Sequence, residues 1–365
     1  MKRTAAVLFS VILLFVLSPA VFAADGTEES LWYDGIYGLI DSDTAELLES
    51  FGIRGADSAS LSGVSPDSVL NGLKALIGES AADPLKNTAA VIMLMLVLTF
   101  AVSFLPDGSS AGELAGLIGS LCVISVLLTS VGRELEAGFK VIKLSGNFML
   151  SLIPVYCALA GLAGSPAAAL SFGTVTAAFA EAAGLIFSGF IPSMSVFGTA
   201  VAAASAIDPV RSYSGISRLF QKISVLAAGF TAAVFTAVLS VKDVIGDSAD
   251  SVGLKGLKFL IGGVVPVVGS AISDALGTAV AGLGMIKNTA GIFAVLVLAA
   301  ISLPALITVS LRRLALLFIS SAADILGRKE IREFADALGG LCSVAVAAIC
   351  FDALVYIIAL VLVIR

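Results

Sequence analysis

Several stretches of about eighteen residues or more in this chain carry almost no charge, which is long enough for a helix to cross the hydrocarbon core of a bilayer. A soluble domain has no use for many such runs. The pattern therefore restricts the chain to an all-α, polytopic membrane protein. A transmembrane β-barrel would need short segments of alternating polarity, whereas these runs are long and rich in Ala, Leu, Val and Gly. Composition agrees. Mean hydropathy is +1.07, and charged residues make up 13% of the chain, about half the share of an average soluble domain.

The first residues read as a secretory signal peptide over 1–23. Lys2 and Arg3 precede an apolar core, Ser18 and Pro19 break it, and Val21-Phe22-Ala23 offers small residues for cleavage after Ala23. Residues 24–86 hold twelve acids and three bases. Scarcity of Lys and Arg fits an exported segment. Short helices are expected there: one over 43–51, and one opening at Ser65-Pro66, with Val69, Leu70, Leu73, Leu76 and Ile77 on one face. Such a small region has little core of its own, so it is expected to dock as a cap on the membrane part.

Residues 87–365 read as the polytopic domain. About eight transmembrane helices are expected, over 88–105, 114–131, 144–164, 223–241, 289–311 and 338–364, with two more in 167–207. That last stretch is about 60 Å long as a helix, twice a hydrocarbon core, and is expected to turn at Gly189 to Pro192. Residues 132–143 are amphipathic and read as lying along the interface. Arg312-Arg313 are expected to open a cytoplasmic loop that runs through Asp336. With residues 24–86 outside, the basic stretches 208–222 and 312–336 both fall in the cytoplasm only if the segment 255–288 is a re-entrant helical hairpin. Its interruptions at Gly262, Gly263 and Pro266 fit that reading.

No His is present, and Cys122, Cys157, Cys342 and Cys350 all lie in apolar runs without a CxxC pair. They read as small apolar residues rather than metal ligands. There is no Walker-type phosphate loop and no nucleophile–base set. No enzymatic activity, cofactor or metal is expected, and the net charge of −6 gives no sign of nucleic-acid binding. The residues that stand out are Pro266, Asp274, Lys287, Asn288, Glu181 and Asp352, as candidates for lining a conduit or holding an assembly together. An ionisable group inside a bilayer is costly and marks either a pathway or a buried structural contact. Asp274 admits both readings. Glu181 and Asp352 read as structural, and Lys287 as snorkelling to the interface.

The residues Lys258-Phe259, Val264 to Gly269, Ser273-Asp274-Ala275 and Lys287 to Gly291 resemble the signature stretch of the stage III sporulation protein AE family. The layout of signal peptide, exported region and multi-span body is similar too. The resemblance implies a multi-pass protein of the mother-cell membrane around the forespore. It implies a subunit of a trans-envelope channel, or feeding tube, needed for forespore development. The implied partners are the other proteins of the stage III sporulation A operon, including its cytoplasmic ATPase, and a forespore-side channel partner, with the lipid bilayer around them. The basic stretches 208–222 and 312–336 are candidate docking surfaces for the ATPase. The alternative is a secondary transporter or permease using Asp274 and Glu181. A second copy of the broken segment, which that class usually carries, is not found.

Overall fold

In a computed structural model, residues 37–55, 60–61, 64, 66–106, 109–162, 166–207, 215–238 and 269–364 are described. Of these, Pro66, 159–162, 166–169, 171–172, Ile207, 269–288 and 362–364 are described by their backbone alone. Every regular element among them is helical. α1 spans Ser42–Ser50, α2 Pro66–Ser103, α3 Ser110–Leu162, and α4 Pro166–Leu185. A π-helical turn, Ile186–Phe190, joins α4 to α5, Ile191–Ile207. α6 is Gly215–Val238, α7 is Gly269–Ile325 and α8 is Lys329–Ile364. Among the described residues, six helical segments are long and apolar enough to cross a membrane, with α4, the π turn and α5 forming one of them.

These helices are longer than their apolar runs suggest. α3 has 53 residues and α7 has 57, so they extend about 80 and 85 Å, against a hydrocarbon core of about 30 Å. Four expectations change as a result. First, 114–131, 132–143 and, as far as Leu162, 144–164 are not two spans and an interfacial helix but parts of α3. The amphipathic face is buried by protein: Leu135, Phe139 and Ile142 sit in the core, while Glu136 and Lys140 pair at 3.1 Å on the outside. Second, the helix opening at Pro66 does not end before the first span. It runs through Pro84 to Ser103, with the Thr88 hydroxyl donating to the Pro84 carbonyl.

Third, the 167–207 stretch does not reverse at Gly189 to Pro192. Proline clashes with the carbonyl four residues back and removes a donor. Here the widened π turn takes up that misfit. Ile191 N–H donates to the Ile186 carbonyl, and the Ser193 hydroxyl donates to the Gly189 carbonyl. Fourth, Arg312-Arg313 do not open a loop. α7 continues to Ile325, and only Leu326 to Arg328 separate it from α8. Gly327, at φ +69°, ends α7 in the left-handed conformation that favours glycine. Arg328 N–H returns to the Ala323 carbonyl and Gly327 N–H to the Asp324 carbonyl. Ser320 to Asp336 at 2.6 Å and Arg332 to Asp324 at 3.1 Å clamp the hairpin.

α7 also passes Lys287-Asn288 without a turn, so the second half of the 255–288 segment is continuous with the following span. Its first half, including Pro266, lies outside the described residues.

α7 and α8 form the centre of the bundle, and α3 packs on both. Glu134 meets Arg312 and Gly138 faces Val309, so α3 and α7 run antiparallel. Gly138 also faces Ile349 and Gly146 faces Tyr356, so α3 and α8 run parallel. Large apolar side chains on the peripheral helices stay exposed: Met93, Val97 and Phe100 on α2, Leu114 and Ile118 on α3, Leu226 and Phe230 on α6. An apolar exterior around a packed helical centre is the pattern a bilayer solvates. α1 packs on α7 and α2, with Leu48, Phe51 and Ile53 buried. Tyr37 stacks on Phe293 of α7 at 5.9 Å.

Candidate functional site

Charged side chains inside the bundle are the features that apolar packing does not explain. The clearest is Arg312, about three-quarters of the way along α7 and 1% exposed. Its guanidinium forms a two-pronged pair with Glu134 of α3: Nε donates to Oε2 at 2.7 Å, and Nη2 donates to Oε1. The Glu134 side chain is 18% exposed. The fork of an arginine matches the two oxygens of a carboxylate, which fixes geometry as well as charge. The pair therefore sets the register of α3 against α7.

Asp352, on α8, is also 1% exposed. Its Oδ1 has no hydrogen-bond partner among the described residues, and neither has the Tyr356 hydroxyl one turn further on. Ser145 on α3 and Ser302 on α7 are likewise buried with unpartnered hydroxyls among the described residues. The registers of α3 with α7 and α8 bring these residues to one layer of the core. That layer lies about 16 Å along α3 from Glu134, counted as eleven helical residues. Phe179 of α4 closes it, meeting Tyr356 edge-on at 4.9 Å. A buried polar group without a partner is costly. A layer holding several such groups is either a weak point of the bundle or a place where a further polar species sits.

The other sequence candidates do not gather there. Glu181 is exposed on α4, so it is not a buried contact between helices of this chain. Asp274, Lys287 and Asn288 fall on the helical backbone of α7, and their side chains lie outside the described residues, as does Pro266 altogether. Cys342 and Cys350 are buried and Cys157 half-buried, but Cys122 is exposed on α3. No group of three or more metal-ligating residues occurs among the described residues.

The sequence reading misses the Glu134–Arg312 pair because it puts Glu134 on an interfacial helix and Arg312 at the start of a loop. The signal was present in the spacing. Val309, Arg312, Leu316, Ile319 and Ala323 follow one another at three and four residues, so Arg312 sits in the buried stripe of a helix that does not stop at it.

The described surface at 312–336 also differs from the basic patch expected there. Arg312 is sequestered by Glu134, and the hairpin tip carries Arg328, Lys329 and Arg332 beside Asp324, Glu330 and Glu333. That tip is balanced in charge. On α6, Arg218 and Lys222 remain exposed.

A family model for stage III sporulation protein AE matches residues 62–365. The curated stage III sporulation protein AE of Bacillus subtilis (strain 168) is 25% identical over 245 residues. That match covers 66% of this chain and 61% of the relative, so less than two thirds of the relative's length is spanned. No solved structure matches the chain.

Proposed function

The chain belongs to the stage III sporulation protein AE family, and from that premise we propose that it is a non-enzymatic membrane subunit of a trans-envelope channel serving the developing forespore. A role in sporulation follows from the family, and the long apolar helices fit a multi-pass membrane protein. The channel assembly, its place in the mother-cell membrane around the forespore, and its partners are the finer parts of the proposal. Those partners are the other products of the stage III sporulation A operon, among them a cytoplasmic ATPase, and a forespore-side channel protein.

One observation carries the reading. The helices α3, α7 and α8 extend well past a hydrocarbon core at about 54 to 85 Å, and they pack on one another. A protein that only anchored a soluble domain would need spans of about twenty residues. Rigid rods that leave the membrane present side chains to proteins on its faces, as a subunit of an envelope-spanning assembly must. The exposed Arg218 and Lys222 are a better-supported ATPase contact than the charge-balanced α7–α8 tip. The transporter alternative loses ground, because Glu181 lies on the outer face of α4 rather than in the core.

The test is genetic and biochemical together. Deleting the gene in its own spore-former should stop development after engulfment. Cross-linkers placed at Arg218 and Lys222 should capture the operon's ATPase in sporulating cells. A deletion strain that forms normal spores would end the proposal. Capture of no operon product, with the protein present at its usual level, would end its channel part.

A further inference from the structure

Between α3 and α5 lies an open groove of about 700 Å³. Its walls are Leu128, Leu135 and Phe139 on one side and Pro192, Val196 and Ala203 on the other. Gly173 faces Ile153 and Cys157, while Gly198 faces Leu341 near the other end of the pair. The α4–α5 rod therefore runs antiparallel to α3. That direction puts the polar end of the groove at Ser188, where Lys140 and Lys143 also line it. Both lysines are exposed. Lys140 is paired with Glu136, which lies about 10 Å from Lys143 along α3, and Lys143 has no ion-pair partner among the described residues. The rest of the lining is apolar apart from Ser195 and Thr199, whose hydroxyls donate to the Ile191 and Val196 carbonyls of α5.

We propose that this groove is a binding site for one anionic phospholipid, with its phosphate at Lys140 and Lys143 and its acyl chains along the apolar wall towards Leu128. Two observations favour that occupant. From Lys143 to Leu128 the groove runs about 22 Å along α3, enough for acyl chains that span half of a core of about 30 Å. Its charge lies in the half from Glu136 to Lys143 and is net positive, as a headgroup phosphate requires, and basic pockets between membrane helices recognise anionic headgroups in this way. The mouth of the groove adjoins exposed Val196 and Phe197, so lipid reaches it from the side. The inference goes beyond the sporulation role and does not depend on it.

The full chain, purified in detergent, is incubated with phosphatidylglycerol or with phosphatidylcholine, and retained lipids are counted by native mass spectrometry. Phosphatidylglycerol should be retained at least tenfold better. The double variant Lys140→Gln, Lys143→Gln should lose at least five-fold of that retention and keep its weak hold on phosphatidylcholine. Ala203→Trp, which fills the apolar wall, should reduce both lipids. If that variant is not monodisperse, the lysine variant, on exposed positions, still decides. Soluble glycerol 3-phosphate should not compete, because it lacks the chains. Unchanged retention in the lysine variant would overturn the site, as would displacement by glycerol 3-phosphate. So would a photo-cross-linker at Val196 that captures polypeptide instead of lipid.

Discussion

Breaking the Glu134–Arg312 pair from either side should destabilise the bundle, and removing both residues should restore it. Arg312 is almost fully buried, and both of its described hydrogen bonds go to Glu134. In Glu134→Leu the guanidinium is left in the packed core with neither bond. That places the loss at the upper end of the range for an uncompensated buried charge, about 5 kcal/mol. In Arg312→Met the remaining carboxylate keeps 18% of its side-chain surface open, and water can reach it. The loss should then fall near the lower end, about 3 kcal/mol. Replacing both by Leu and Met removes two desolvation penalties together and should lie within about 1 kcal/mol of the parent or above it. The coupling between the sites therefore exceeds about 3 kcal/mol, the top of the usual range for contacting residues. The assay is the fraction of monodisperse protein left after heating in detergent, read by size-exclusion chromatography. At about 2 °C per kcal/mol, the single variants should melt roughly 6 to 10 °C lower and the double variant near the parent. Additive losses, or single losses of under 2 °C, would refute the reasoning.

Two further outcomes test the packing. Asp352→Asn, isosteric but uncharged, should melt at or above the parent, because a buried carboxylate with an unpartnered oxygen costs about 1–3 kcal/mol; a drop of several degrees would reveal a partner that the carboxylate serves. Gly72→Ala would drive a Cβ into the buried Phe51 ring, and expelling that ring costs about 2 kcal/mol. Limited proteolysis of the segment around α1 should then be tenfold faster or more, whereas Gly78→Ala, with nothing within 4 Å, should match the parent.

Much of the fold was legible in the residues. Long uncharged runs required membrane helices, and the Pro66 and Asp43–Phe51 signals placed real helix starts: Asp41 caps α1 through the Thr44 N–H. What failed were the breaks. Pro84 lies inside α2, which runs on into the first span, and the turn expected at Gly189 to Pro192 is a π turn followed directly by α5. Charge failed as a boundary signal for the same reason. Glu134 reads as interfacial and Arg312 as the start of a loop because each is judged against lipid or water, while each is in fact the other's environment.

The sequence by itself determined the class of the protein: an all-helical chain whose apolar surface exceeds what water tolerates. It also determined, through the residues around 255–291, the family resemblance that the comparison then established. Only the tertiary structure decided where the helices end and which charges are internal. The physical reason is that periodicity reports a face hidden from water without reporting what hides it. Lipid and a neighbouring helix are equally apolar partners for Leu135, Phe139 and Ile142. Whether a buried arginine is an error or a clasp depends on a carboxylate 178 residues away, which no local pattern can supply.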